Sequence, residues 1–329
     1  MRKKGPYLLK CRSFLFLTTT LIFLSCEQTG DNRDYKQEMR DFVIAVSEYS
    51  KSLQPDFSII PQNGVELVSI TGEEEGEPHS GYLGAIDGIG QEDLYFGYDR
   101  DDKSTPEKTT SYLKSFLEIA KKAGNTILVT DYCSTHSNMD DSYSSNGSDG
   151  FVSFAADHRE LDNIPVYPLI INAENSKNIS ALSQVENFLY LINPEKYLTR
   201  SDFIGAIRST NYDLVIMDLF FNDGNEFTIE EIELLRQKEN GGTRLVVAYM
   251  SIGEAEEYRY YWKDAWNTTY PSWLDRENPD WEGNFKVKYW NEEWQNIIFG
   301  NEDSYLDRIV AAGFDGVYLD IIDAFEFFE

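Results

Sequence analysis

Apolar residues along this chain fall in short continuous runs separated by polar, helix-like stretches. Eight runs read as strands: Phe57–Ile60, Leu94–Phe96, Thr126–Thr130, Phe188–Ile192, Leu214–Met217, Leu245–Tyr249, Phe285–Trp290 and Val317–Leu319. Most are uninterrupted, as parallel strands covered on both faces require. Phe285–Trp290 alternates and is the exception. Helical signals lie between them. Thr105-Pro106 opens one helix and Gly124 closes it. Thr228 with Glu231 forms a capping box ahead of Ile229, Ile232 and Leu235. Asp303 or Ser304 starts another, which ends at Gly313. Strand followed by helix, eight times, predicts an α/β chain folded as one (β/α)8 TIM barrel domain over residues 34–329.

Only Ala324–Glu329 follow the eighth strand, too few for an outer helix. Met39, Phe42, Val43, Val46, Tyr49 and Leu53 recur at helical spacing before the first strand. The pattern predicts a helix over Asp34–Leu53 that closes the ring in place of the missing one. Thr71–Gly81 and Ser134–Gly150 are rich in Gly, Ser and acidic residues and read as long surface loops.

The amino terminus lies outside that pattern. Residues 1–25 combine a basic start (Arg2, Lys3, Lys4, Lys10, Arg12) with an apolar run too short to span a membrane. The run ends in Phe23-Leu-Ser-Cys26, similar to a bacterial lipoprotein signal cut before a lipidated cysteine. The expectation is a signal over 1–25, a lipidated tether over 26–33 starting at Cys26, and a monomer held by this lipid anchor alone at the bacterial cell envelope. Such a protein would stand on the periplasmic or the outer surface. Cys133 is then alone in the mature chain, which forbids an intrachain disulfide. His79, His136 and His158 lack a ligand spacing, so no metal is expected, and no organic cofactor is implied.

Charge narrows the partners. With 29 basic and 57 acidic residues the formal net charge is −28. Such a surface excludes nucleic acid as a partner and would attract a cationic polymer.

The candidate chemistry is acidic and aromatic. All six tryptophans lie between Trp262 and Trp294, and aromatic faces stack on sugar rings. In a barrel the site lies at the carboxyl ends of the strands. There stand Asp131, Asp218, Glu254, Asp320 and Asp323, with Asn63 and Asp87 in loops on the same inferred face. A pair of such carboxylates is what glycosidic cleavage needs: one protonates the leaving oxygen, the other attacks or activates water.

Tyr249-Met-Ser-Ile-Gly-Glu-Ala-Glu-Glu-Tyr-Arg259, Trp273-Leu, Asn278-Pro279, Trp281, Gly283-Asn284 and Gly313-Phe-Asp-Gly-Val-Tyr-Leu-Asp-Ile-Ile-Asp323 resemble glycoside hydrolase family 114. The resemblance is strong over 211–323 and architectural before that. It implies a (β/α)8 fold and endo-α-1,4-polygalactosaminidase-like activity. It also places Asp218, Glu254 or Glu256, Arg259, Asp320 and Asp323 along the cleft. Other members carry Glu, a candidate catalytic carboxylate, where this chain has Tyr318. The sequence thus predicts a glycoside hydrolase acting on a polysaccharide, with Asp218, Asp320 and Glu254 catalytic. Asp131, Tyr249, Glu256, Arg259, Trp290, Tyr318 and Asp323 are the expected substrate-binding residues. The alternatives are a barrel that binds carbohydrate without cleaving it and a different carboxylate-dependent hydrolase, such as a deacetylase or esterase.

Overall fold

The computed structural model describes residues 33–329. The expected signal, Cys26 and nearly all of the tether lie outside the described residues. In chain order the elements begin with α1 (Tyr35–Leu53), β1 (Ser58–Pro61), α2 (Ser80–Ala85), β2 (Gly88–Glu92), α3 (Glu107–Lys122), β3 (Thr126–Tyr132) and α4 (His136–Asp149). Next come β4 (Val152–Ala156), β5 (Phe188–Tyr190), α5 (Arg200–Arg208), β6 (Leu214–Asp218), α6 (Ile229–Leu235) and β7 (Leu245–Ser251). The last part holds β8 (Glu254–Glu256), β9 (Leu274–Glu277), β10 (Asn284–Val287), α7 (Glu292–Ile298), α8 (Tyr305–Ala311), β11 (Gly316–Asp320) and α9 (Phe325–Phe328).

These strands do not form the single eight-stranded barrel sheet that the sequence predicts. They form three sheets: β1-β11-β7-β6-β5, all parallel; β2-β3-β4, also parallel; and the antiparallel β8-β10-β9. The first two meet through one isolated parallel bridge between Gln62 and Gly90. β1 is short and ends in Pro61, which has no N–H to donate to a ladder. β5 has three residues and follows the long excursion 157–187; among the described residues no ladder joins it to β4. The antiparallel sheet takes up Phe285, which the sequence assigned to the barrel.

α1 forms where expected. Asp34 caps it by accepting from the Gln37 amide at 2.9 Å. Its inner face buries Met39, Phe42, Val43 and Val46 and packs on α2 and α8. Buried Arg40 donates to the Leu67 carbonyl at 2.9 Å and the Ser69 carbonyl at 2.6 Å, fixing the stretch after β1. No helix among the described residues is long and apolar enough to cross a membrane.

Most of 134–150, residues 136–149, is a helix rather than a loop. α4 has almost no apolar face, and a buried carboxylate holds it instead. Asp131 accepts from Ser142 Oγ at 2.6 Å and Asn146 Nδ2 at 3.0 Å, one turn apart on α4. The tryptophans are also mainly structural. Trp266, Trp273 and Trp294 are buried, with ring centroids 5.0 Å apart in each successive pair, and Trp294 Nε1 donates to the Ile252 carbonyl at 2.8 Å.

Candidate active site at the carboxyl ends of the strands

Parallel sheets place functional groups beyond the carboxyl ends of their strands, and β6, β7 and β11 end together here. Asp218 is opposite Tyr249, and Tyr249 is opposite Tyr318. Asp320, two residues past Tyr318, therefore projects from the same face as Asp218, with β7 between them. Tyr249 lies on that face, and its hydroxyl donates to Asp320 Oδ2 at 2.6 Å. The Ile321 amide donates to Oδ1 at 2.8 Å.

Asp218 is held differently. Arg259 Nη1 reaches it at 2.8 Å and the Phe220 amide donates at 2.9 Å. The same guanidinium donates through Nε to Glu256 at 2.5 Å, and the Tyr258 hydroxyl also donates to Glu256. Arg259 lies over the rings of Phe220, Tyr258 and Tyr305, so one buried cation fixes two carboxylates. Burial raises the Asp218 carboxyl above the usual carboxylate range, and Arg259 opposes the shift. For Asp320 burial dominates and the nearby Glu92 adds to it, pushing its pKa up to about 7.

A second group lies beside the first. Glu254, fully buried on β8, accepts from Lys286 Nζ at 2.6 Å and Asn278 Nδ2 at 2.8 Å. Ile321 holds the left-handed conformation at φ 59, unusual and strained for a β-branched residue. This turn brings Asp323 near Lys286, Glu254 and Glu92; burial raises it to about 6, while Lys286 pulls the other way.

The remaining candidates lie elsewhere or act otherwise. Asp131 accepts from the Tyr95 and Phe96 amides at 2.8 and 3.1 Å besides its two bonds to α4, which commits it to the fold. Asp87 precedes β2, at the amino end, where it accepts from the Ile59 amide at 2.9 Å and pairs with Lys51 at 3.0 Å. Trp290 packs among Tyr35, Tyr289 and Phe328. Tyr318 is fully buried, and its hydroxyl has no hydrogen-bond partner among the described residues. A cavity of about 380 Å³ lined by Gln54, Ser58, Arg236 and Arg244 lies at the opposite, amino ends of the strands and holds none of these carboxylates.

Two residues of the region escaped the sequence reading. Glu92 ends β2 and accepts from Gln62 Nε2 at 2.8 Å, Asn63 Nδ2 at 3.2 Å and the Tyr132 hydroxyl. It was hidden because Gly88-Ile-Gly-Gln-Glu92 does not look like a strand; the acidic-strand-end pattern finds it once β2 is placed. Tyr258, half exposed beside Glu256, presents an aromatic face that the focus on tryptophan passed over.

The similarity to known proteins falls in the second half of the chain. Residues 191–328 match the model of glycoside-hydrolase family GH114. An uncharacterized protein of Methanocaldococcus jannaschii is 44% identical over 161 residues, which is 48% of this chain and 42% of the relative. Uncharacterized proteins of Thermotoga maritima and Deinococcus radiodurans are 44% and 42% identical, each over 37% of this chain and over 36% and 37% of their own length. The matched region thus spans less than half the length of these relatives. It contains Asp218, Glu254, Glu256, Arg259, Asp320 and Asp323, all of which lie within the stretch 191–328 that is similar to glycoside-hydrolase family GH114.

Proposed function

We propose that this protein is an exported, lipid-anchored glycoside hydrolase that cleaves a polysaccharide with Asp218 and Asp320. The observation that carries the reading is their placement: two carboxylates on one sheet face, at the ends of β6 and β11, within a glycoside-hydrolase family match. Their surroundings differ in the way acid and base work needs. Asp320, raised to about 7, holds a proton near neutrality and is the general acid. Asp218, beside Arg259, is the base or nucleophile. Glu254 stands near Asp323 as the third carboxylate.

An acidic site favours a cationic chain. Glu92, Glu254, Asp320 and Asp323 lie near one another, and Lys286 pairs with Glu254 among them. This fits a polymer carrying free amines, with α-1,4-linked galactosamine as the expected case. The test is a panel of polysaccharides scored for new reducing ends. Cleavage of de-N-acetylated galactosaminan, weaker cleavage after N-acetylation, and suppression by salt support the reading; equal cleavage of the acetylated chain refutes the amine preference.

Tyr318 favours a second reading, a carbohydrate-binding protein without catalysis, because its ring stands where other members carry a candidate catalytic Glu. Oligosaccharide binding with no bond cleavage would decide for it.

The anchor rests on residues 1–33 alone. Cys26→Ala should release the protein from membranes or block its processing, read by partitioning between membrane and soluble fractions; unchanged partitioning refutes the anchor.

A further inference from the structure

We propose that Glu92 is a positioning residue that keeps Asp320 protonated, and so makes Asp320 rather than Asp218 the proton donor of the site. The inference rests on the hydrolase reading for its consequence, but its physical content stands apart from catalysis.

Strand register comes first. Ile60 is opposite Tyr318 and Gln62 is bridged to Gly90. Residues two apart on a strand share a face, so Gln62, Gly90, Glu92, Tyr318 and Asp320 all project to one side. Tyr318 spans the gap between β11 and β2: a Cβ at Gly90 would overlap the Tyr318 hydroxyl, so the ring packs directly on the bare backbone of Gly90. Glu92 and Asp320 each stand two residues beyond that contact, one on either side of it. The Tyr318 hydroxyl, fully buried and without a hydrogen-bond partner among the described residues, lies beneath them.

The second element is the kind of donor each carboxylate has. Asp218 is paired with Arg259, Glu254 with Lys286 and Asp93 with Arg159. Glu92 takes its hydrogen bonds from Gln62, Asn63 and Tyr132, all neutral. Asp320 takes its bonds from Tyr249 and the Ile321 amide, also neutral. The charged groups on the surrounding elements are otherwise engaged. Arg159, stacked over the Tyr132 ring, donates to Asp93 at 2.6 Å, Asp101 at 2.5 Å and the Gly97 carbonyl at 2.8 Å. Lys286 is committed to Glu254, and Asp323 adds a further negative charge beside Asp320. Tyr190 and Tyr318 supply only neutral rings on this side. A neighbouring carboxylate with no cation between the two adds to burial in raising the proton affinity of Asp320. Gln62, Asn63 and Tyr132 all donate to Glu92 and hold it in place on its side of the Tyr318 contact.

The test is a titration of the carboxyl carbons by NMR in the full chain labelled at Asp, with the Asp320 signal assigned by its loss in Asp320→Asn. In the wild type Asp320 should titrate near pH 7. In Glu92→Gln its midpoint should fall by about one unit or more, a tenfold loss of proton affinity. Glu92→Asp, which keeps the charge, should leave it in place. A midpoint unmoved by Glu92→Gln, or lowered equally by Glu92→Asp, overturns the proposal. So does a wild-type Asp320 that titrates in the ordinary carboxylate range, an outcome needing no Glu92 variant to fold. A wild type that cleaves no polysaccharide while Asp320 still follows Glu92 removes the hydrolase reading and supports the coupling.

Discussion

Asp320→Asn is expected to give a folded protein whose turnover falls by at least ~10², the low end for general acid–base catalysis. Asn keeps the shape and can still accept from the Tyr249 hydroxyl, so the change isolates the transferable proton. The wild-type pH profile should show the same group. With Asp320 at about 7 as the acid, kcat/KM falls as pH rises through about 7, and this alkaline limb should be absent from whatever activity the variant retains. The substitution should affect stability in the opposite sense from turnover. Asp320 binds its proton more tightly in the folded than in the unfolded chain, where an Asp titrates near ~3.9. Its contribution is therefore complete below that value and is lost as pH rises through about 7. Asn has no such dependence, so the variant should gain on the wild type across this window, read from urea midpoints at its two ends. A variant that loses stability at the alkaline end would mean that Asp320 is a structural anion.

Arg259→Met is expected to be the most destabilising single change in the site. Arg259 is buried between Asp218 and Glu256. Removing it leaves two carboxylates without their counter-charge, and breaking a buried pair in this way costs about 3–5 kcal/mol. The Asp218 carboxyl, already raised by burial, loses the group that opposes the shift. Its folded pKa then rises further, so the penalty is largest at high pH and shrinks as pH falls and the carboxyl protonates. Urea denaturation across pH checks this, and adding Asp218→Asn should recover part of the loss because the two residues are coupled. A loss below about 1 kcal/mol that does not vary with pH would show that the pairs are screened by solvent.

What the sequence reveals follows from how each element is held. β6, β7 and β11 carry unbroken apolar runs because they lie inside the five-stranded sheet, and the acidic residues ending β6 and β11 stand out against them. The caps of α6 and α8 are legible because Thr228 and Ser304 bond their own helices locally. β2 is not legible. Its position facing Tyr318 is Gly90, and the bulk that fills the space there belongs to Tyr318, far away in sequence. With β2 goes Glu92, the carboxylate nearest in effect to Asp320. β4 is equally quiet, built from Val152-Ser-Phe-Ala-Ala156. α4 reads as a loop because a distant carboxylate, Asp131, replaces its apolar face. The tryptophans mislead for the opposite reason: they look like a binding wall, but three of them build the core around β8–β10. Counting eight strands misplaced Leu94–Phe96 and Phe285–Trp290 and passed over β2, β4, β8 and β9, and the predicted closed ring gave way where Pro61 and the short β5 interrupt the pairing.

The central claim is that Asp218 and Asp320 break a glycosidic bond between them. The most direct measurement is release of new reducing ends from the best polysaccharide of the panel by wild type, Asp218→Asn and Asp320→Asn, with binding of the same oligosaccharide followed by calorimetry. The account predicts release by the wild type, loss of at least ~10² in both variants, and binding retained in all three. Near-normal release by both variants, or binding without release by the wild type, would contradict it.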